Sequence, residues 1–530
     1  MRTGRAYRVL GSLRRRARAA IGAGFVAMCC LSPGIAGMAS AAEPAAGTSP
    51  PAFQAGFAER DITPAIGSEA PGGYGKAYHR TLHDPCKVRA AVFAAGPSRV
   101  ALVGLDAIAV HRRTVDAVRR EINKRTGIPG AAVLLGASHS HSSGPLAGVM
   151  PGEYDHASDL VKKLAYQEST CADPRYLERV EKAIVEAIVE ADARKVDAHA
   201  GVGRGREDQV AFNRRFRMRS GLTVTHPGQN NPDIIEPAGP ADPEVGVLGA
   251  WDARGKFLGC VVNFACHATT SPGGISANYV YYLEKVLQGY YGKDAVVVFL
   301  NGNSGDVTQV DNRAPLAPRG PERWAEFVGG RLGAEALKVL LTLDTGPLTP
   351  VAHATRTLSL RRRPPDPERV KACLAIVSGD RTKADHTTWT FAKEIVMLDA
   401  ILAREPVAQA EVQAVQVGPV VLLSSPAEFF CEFGLTWKSK SGFPFTFPVS
   451  LANGCVGYVP TEESFGPRGG GYETRLTSYS NLQPDAGTRL TDAGLDLAHT
   501  LRPGAVPSRP AAPPFQGGPW TYGDVPPERK

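Results

Sequence analysis

The chain has 530 residues, a formal charge of +8, 43% hydrophobic and 21% charged residues, which are globular values that exclude a disordered, collagenous or multi-span membrane protein. Seven of its arginines lie in the first 41 residues, which carry no lysine and no acid, so the remainder has 53 basic against 52 acidic residues. The bulk charge therefore gives no support to a nucleic-acid partner.

Residues 1–41 have the pattern of a secretory signal peptide. An arginine-rich start precedes an apolar stretch from about Ala19 to Met38, and Ala39-Ser40-Ala41 supplies the small residues of a cleavage site. We therefore expect export to the periplasm or the extracellular space. The alternatives are an uncleaved anchor, lipidation, and a twin-arginine route, the last two resting on Cys29, Cys30 and Arg14–Arg16.

Three further segments follow the leader. Residues 42–54 read as a Pro/Ala-rich linker, residues 55–500 as the main folded domain, and residues 501–530 as a Pro-rich tail that either wraps the surface or is disordered. We see no internal repeat.

The first half of the domain alternates strand-like and helix-like segments. Val88–Ala95 and Val100–Leu105 predict a hairpin around Gly96-Pro97-Ser98. Arg112–Thr126 predicts a helix that Gly127 ends, and Ala132–Ala137 predicts a buried strand.

The second half continues the alternation. Pro174–Ala193 predicts a strong amphipathic helix, because apolar residues recur in it at helical spacing. The other predicted elements are strands at Phe257–Ala265 and Ala295–Leu300, a helix at Glu322–Leu341, and a strand pair within Ala410–Ser424. The mixture predicts a layered α/β fold with a mixed β-sheet and an active site at the strand ends.

The cysteines do not form a metal or disulfide framework. Seven follow the leader, they are scattered, and no CxxC pair occurs, so one or two bridges after export are the most that the spacing supports. Cys260 and Cys266 lie in an apolar strand-like run, which predicts core positions.

Polar residues with catalytic potential follow several of the predicted strands. His139 and His141 come directly after Ala132–Ala137, and two histidines at i and i+2 project to the same side of an extended chain. They suit a metal, although a hydroxyl-rich surface loop is the simpler alternative. His267 ends the next buried strand, where a hydrogen-bonded core histidine is the alternative.

Three later segments have the same placement. Asn301–Thr308 is a glycine-rich turn whose N–H groups can hold an oxyanion, or an ordinary tight turn. Glu428 is either a metal ligand or an acid at the start of a helix. Tyr458 lies between glycines, and a nearby cation would favour its ionised phenolate.

Taken together and in this order, these segments resemble the neutral/alkaline ceramidase family, which are secreted or surface zinc amidases that cleave N-acylsphingosines. The resemblance covers about residues 55–490. It rests on the matching segments Phe57–Pro64, His139–Pro145, Asn213-Arg214, His267–Thr269, Asn303–Thr308, Pro426–Glu428 and Tyr458–Glu473.

The resemblance implies one zinc ion per chain and a set of site residues. The implied zinc ligands are His139, His267, Glu428 and Tyr458. The implied catalytic or substrate-contacting residues are His141, Thr308, Arg214 and Tyr472. The implied substrate is a ceramide-type lipid, with peripheral contact to a membrane surface.

The chain departs from the family pattern in three places. The histidine loop reads Ser142-Ser143-Gly144-Pro145, with an added serine. The family turn continues with Ser-Pro-Asn, whereas this chain has Thr308-Gln309-Val310. The Pro-rich tail is too short for the C-terminal immunoglobulin-like domain of the full-length enzymes, so we expect none. These departures motivate two alternatives, which are an amidase, esterase or lactonase acting on a non-lipid substrate such as a carbohydrate derivative, and an exported binding protein without activity.

Overall fold

The computed structural model describes residues 52–315, 320–513, 517, 520, 522–523 and 525–530. The predicted leader and most of the predicted linker lie outside these residues, so the leader stays a prediction. Pro51–Lys530 forms one compact unit. Among the described residues we find no helix with the length and apolar character that crossing a bilayer requires.

The strands and helices alternate along the chain. The strands are β1 Phe53–Asp61, β2 Lys87–Ala95, β3 Ser98–Leu105, β4 Val133–Ala137, β5 Val196–Arg206, β6 Phe212–Asn213, β7 Arg215–Met218, β8 Thr223–Thr225, β9 Ile234–Pro237, β10 Glu244–Asp252, β11 Phe257–Phe264, β12 Val296–Asn301, β13 Val307–Thr308, β14 Val351–Arg361, β15 Val407–Val417, β16 Val420–Ser424, β17 Glu428–Phe429, β18 Phe445–Val449 and β19 Tyr458–Val459. The α-helices are α1 Arg112–Thr126, α2 Asp159–Tyr166, α3 Pro174–Ala193, α4 Tyr279–Tyr291, α5 Pro321–Leu340, α6 Pro367–Ser378, α7 His386–Leu402, α8 Cys431–Lys440 and α9 Ala486–His499.

A mixed eight-stranded sheet organises the molecule, in the order β12-β11-β10-β5-β1-β2-β3-β4. The pairs β3–β4 and β11–β12 are parallel and the others are antiparallel. A Cβ atom on Gly104 of β3 would lie 2.4 Å from the carbonyl oxygen of Phe299 in β12. The two ends of the sheet therefore pack directly on each other, and glycine is the residue that permits this approach. The predicted layered α/β fold with a mixed sheet is confirmed.

The helices α1 and α3 show why the local predictions succeed. In α1, Gly127 adopts the left-handed conformation at the C-terminus and donates its N–H to the carbonyl of Asn123 at 2.9 Å. In α3, Asp173 stands just before Pro174, and its carboxylate accepts from the backbone N–H groups of Arg175 and Tyr176. Their apolar faces are buried in one core with the first strands of the sheet. Both helices have the predicted bounds.

A second mixed sheet, in the order β14-β15-β16-β18, contains the predicted strand pair. Helices α8 and α9 share an apolar core with β15 and β16. The seven cysteines of the described residues are unpaired, and Cys260 and Cys266 are fully buried, as predicted. The tail is anchored at Gly504, which donates to the carbonyl of Gly418, so this part of it follows the surface.

Candidate metal centre

The loops that follow β4 and β11 meet beside the sheet. A β-bridge joins Ser140 to Ala268, one residue away from His139, His141 and His267. The short strands β17 and β19 pair in parallel with Glu428 opposite Tyr458. Tertiary pairing thus brings together side chains that lie up to 319 positions apart in the sequence.

Three imidazoles form a cluster, since the nitrogen atoms that His139, His141 and His267 offer all lie within 4.8 Å of one another. The Nε2 atoms of His139 and His141 are 3.2 Å apart. His139 and His267 are 1% exposed, whereas His141 is partly exposed. The cluster therefore has two buried members and one that faces open space.

The conformation of the histidine loop differs from the expected one. His139 has a φ of 63°, in the left-handed region, so the segment is not the extended chain that the i, i+2 spacing predicts. The two imidazoles converge for another reason, because the loop turns sharply at His139. A non-glycine residue held in this region is strained, and such strain is concentrated at functional sites.

Glu428 connects the two buried imidazoles. Its Oε2 atom lies 3.1 Å from His139 Nε2 and 3.0 Å from His267 Nε2. The side chain is 3% exposed and lies in β17, three residues before α8 begins, so it does not act as an acid at a helix start. Burial raises the pKa of its carboxyl, but His139 and His267 hold that pKa well below its ordinary value.

The remaining nitrogen of each buried imidazole identifies the tautomer. His139 Nδ1 lies 2.7 Å from the carbonyl oxygen of Ile108, and His267 Nδ1 lies 2.6 Å from that of Ser304. A carbonyl oxygen only accepts, so both Nδ1 atoms carry the proton. Each Nε2 is therefore the ring atom that faces the carboxylate of Glu428.

This donor set fits a divalent metal ion. Burial, together with Arg214 and His139, lowers the pKa of His267 to about 4, so this ring is neutral at neutral pH. Its Nε2 atom faces the Glu428 carboxylate at 3.0 Å, an arrangement that a cation bound to both groups would stabilise, and imidazole with oxygen donors suits zinc. The backbone carbonyls that accept from Nδ1 fix the orientation of the rings. Hydrogen-bond partners of metal-bound histidines do the same in metalloproteins.

The hydroxyl of Tyr458 lies between His267 and a buried ion pair. It lies 3.4 Å from His267 Nε2 and accepts from Arg214 Nη2 at 3.0 Å. Arg214 donates from Nε to Glu473 at 2.8 Å, and both side chains are almost fully buried. Burial raises the pKa of the Tyr458 phenol well above 10, and the Arg214 charge opposes that shift.

The two other predicted substrate contacts have different surroundings. The ring of Tyr472 packs edge-on against Tyr458, and its hydroxyl donates to Tyr74 at 3.1 Å. Thr308 is buried, and its hydroxyl donates to Gln309 at 3.0 Å. The structure therefore brings Tyr472 to the cluster, whereas it directs the Thr308 hydroxyl to its own neighbour.

A cavity of about 270 Å³ opens onto the imidazole cluster. His139, His141, Glu428, Tyr458 and Tyr472 line it, whereas His267, Arg214 and Thr308 are buried and do not. Apolar side chains form part of its wall, namely Ile108, Val149, Met397, Ile401 and Val456. Charged or titratable side chains with partial or full exposure line it as well, namely His111, Glu153, His156, Arg362, Arg404 and Glu405.

Sequence reasoning missed several groups at the site. Tyr479 donates to Glu428 Oε1 at 2.8 Å, but no motif marks it. Gly72 lies so close to the ring of His141 that a Cβ atom there would be 2.4 Å from Nδ1, and its φ of 95° favours glycine. The Pro71-Gly72-Gly73-Tyr74-Gly75 run was the one available signal, because dense glycine marks close backbone approach.

No protein-family model and no curated protein sequence matches the chain. Solved structures do match, among them neutral ceramidase from Pseudomonas aeruginosa, with a TM-score of 0.63 and 19% identity, and a ceramidase complexed with C2, with a TM-score of 0.62 and 18% identity. Each match covers 87% of this chain and 77% of the other. The chain has the neutral ceramidase fold. The resemblance seen in the ordered motifs thus extends to the three-dimensional fold.

The neutral His267 makes the stability of the metal-free protein depend on pH. Its pKa is about 4 in the folded chain and about 6.5 in an unfolded one. Below pH 6.5 the unfolded state binds a proton that the folded state does not, so this residue lowers the unfolding free energy by up to about 1.4 kcal/mol per pH unit until pH 4. Urea unfolding of chelator-treated protein at neutral pH and at about pH 5 measures the loss. His267→Gln is expected to lose less stability over the same interval, and an equal loss would contradict the assignment.

Proposed function

We propose that the protein is a zinc-dependent hydrolase, with one zinc ion per chain, that cleaves the amide bond of an N-acylsphingosine (ceramide)-type lipid. His139, His267, Glu428 and Tyr458 are the proposed ligands. The observation that carries the proposal is the convergence of two Nε2 atoms on the Glu428 carboxylate, while the Nδ1 atom of each ring is held by a backbone carbonyl. The neutral ceramidase fold supports the reaction type.

The bound zinc would lower the pKa of a water molecule and polarise the scissile carbonyl. Within the cluster, His141 is the imidazole with partial exposure to the cavity, and desolvation together with His139 and His267 lowers its pKa well below 6.5. It is therefore neutral and able to take a proton from the attacking water. The water oxygen bonds to the carbonyl carbon, the C–N bond breaks, and the proton passes to the leaving nitrogen.

Arg214 and Tyr472 have supporting roles in this proposal. Arg214 holds the Tyr458 oxygen with a charge-assisted hydrogen bond, and Glu473 anchors the guanidinium from behind. Tyr472 presents its ring and hydroxyl to the cavity, where a substrate would lie. For Thr308 we propose a structural role, since its hydroxyl is engaged by Gln309.

The composition of the cavity favours a second candidate, which is an amidase, esterase or lactonase acting on a non-lipid substrate such as a carbohydrate derivative. The guanidinium of Arg404 and the carboxylate of Glu405 line the cavity and have no hydrogen-bond or ion-pair partner among the described residues. The cavity volume of about 270 Å³ is small for a drug-sized ligand. A compact polar substrate would fill this space and use these charges.

The site of action is proposed from the leader alone. A cleavable signal peptide ending near Ala41 would export the protein to the periplasm or the extracellular space. For a lipid substrate this location implies peripheral contact with a membrane surface.

Metal analysis and a substrate panel test the proposal together. The purified protein is expected to contain about one zinc ion per chain and to lose hydrolysis on chelation. Restoring zinc should restore the activity. The panel compares fluorescent ceramide with sugar lactones and simple amides, each assayed before chelation, after chelation and after zinc is restored.

The two candidate functions predict different preferred substrates in the panel, and both require the metal. Preference for ceramide supports the lipid amidase, and preference for a lactone or a simple amide supports the second candidate. Full activity in a preparation that contains no metal contradicts both.

A further inference from the structure

The two oxygens of the Glu428 carboxylate have different partners. Oε2 faces His139 and His267, whereas Oε1 accepts from the hydroxyl of Tyr479 at 2.8 Å. An ionised carboxylate only accepts, so the Tyr479 proton lies on this bond. The contact occupies one oxygen and leaves the other to the imidazole cluster.

A second group fixes the direction of the Tyr479 hydroxyl. Its oxygen lies 3.3 Å from the sulfur of Cys455. Because the phenol proton is donated to Glu428, the thiol is the donor in this contact, and burial raises its pKa to about 11, so it keeps its proton. Cys455, Tyr479 and Glu428 thus form a chain of hydrogen bonds that runs in one direction and ends at the cluster.

We infer that Tyr479 is a positioning residue that holds Glu428 so that it offers a single oxygen, Oε2, to the metal. The inference rests on the proposed metal centre. Tyr479 comes from the loop before α9, outside every motif of the resemblance, and it lines the cavity beside Tyr458. A carboxylate without this anchor can rotate about its terminal torsion, which is broad. The Glu428 carboxylate would then adopt many orientations, and few of them would place Oε2 where it can bind the metal.

The test is zinc affinity, measured by titration against a competing chelator, and it needs no substrate. Tyr479→Phe removes only the hydroxyl and is expected to weaken zinc binding about tenfold or more, the cost typical of losing a partner of a metal ligand. Cys455→Ala is expected to weaken it less, because the donor to Glu428 remains. Tyr154→Phe is the matched control, since Tyr154 lines the same cavity and has no contact with Glu428.

A double-mutant cycle separates positioning from a general structural effect. If Tyr479 acts through Glu428, then Tyr479→Phe causes no further loss of zinc affinity when it is added to Glu428→Ala. Losses that add in the double variant, or wild-type affinity in Tyr479→Phe, overturn the inference while the proposed function stands. A wild-type protein that binds no zinc overturns both. Coupled losses in a protein that hydrolyses no amide, ester or lactone uphold the inference and contradict the proposed function.

Discussion

Replacement of His267 by alanine is expected to abolish hydrolysis and to weaken zinc binding by more than about 100-fold. Loss of an outer partner of a metal ligand already costs 10–100-fold, and His267 is proposed as a direct ligand. The variant also leaves the Glu428 carboxylate without one of its two imidazole contacts. Zinc titration and hydrolysis of the best substrate in the panel measure the two effects. His139→Ala is expected to behave in the same way.

The control for this prediction is His156→Ala. His156 lines the same cavity, but its Nε2 atom contacts the carbonyl of Ala400 and no group of the cluster. We expect this variant to bind zinc like the wild type. Circular dichroism must show that His267→Ala is folded. A folded His267→Ala protein with wild-type zinc affinity would exclude the proposed centre.

Replacement of Arg214 by methionine is expected to lower the unfolding free energy by about 3–5 kcal/mol, the cost of breaking a buried ion pair. Glu473 would keep the Thr225 hydroxyl, which donates to it at 2.7 Å, and Arg215, whose Nε atom lies 3.3 Å away. The Tyr458 oxygen would lose its 3.0 Å contact with the guanidinium, so zinc affinity is expected to fall about tenfold as well. Urea unfolding of the chelator-treated protein and zinc titration measure the two losses.

Arg89→Met separates the two effects of the Arg214 variant. Arg89 is 2% exposed and pairs with Asp106 and Glu284, neither of which contacts an imidazole of the cluster. Its replacement is expected to cost similar stability and to leave zinc affinity unchanged. Equal zinc affinities in the two variants would show that Arg214 supports the fold alone. If Arg214→Met fails to fold, Arg214→Lys keeps the charge but not the paired donor geometry, and the same zinc titration applies to it.

Sequence patterns predicted the elements where the information is local. The helix at Pro174–Ala193 has an apolar stripe along its length, an N-terminal aspartate and a proline at its first position, and each of these is a property of the segment itself. The strands β4, β11 and β12 are short apolar runs bounded by turn residues, and the structure shifts their ends by one residue at most. Such signals do not depend on the rest of the fold.

Local sequence patterns could not predict which groups contact each site residue. Nothing around Ile108 or Ser304 indicates that their carbonyls hold the Nδ1 atoms of His139 and His267. Tyr479 has no motif, and its role depends on where β17 places Glu428. The left-handed turn at His139 also contradicts the extended geometry that its spacing suggested.

The amino-acid sequence by itself determined the elements, the α/β class and the order of residues able to bind a metal, because periodicity, capping and strand-end placement are properties of short segments. The tertiary structure decided which nitrogen of each imidazole is free, which oxygen of Glu428 meets the cluster, and that Thr308 contacts Gln309. Those outcomes depend on distances between loops far apart in the chain. They are set by the packing of the two sheets, which no short segment encodes.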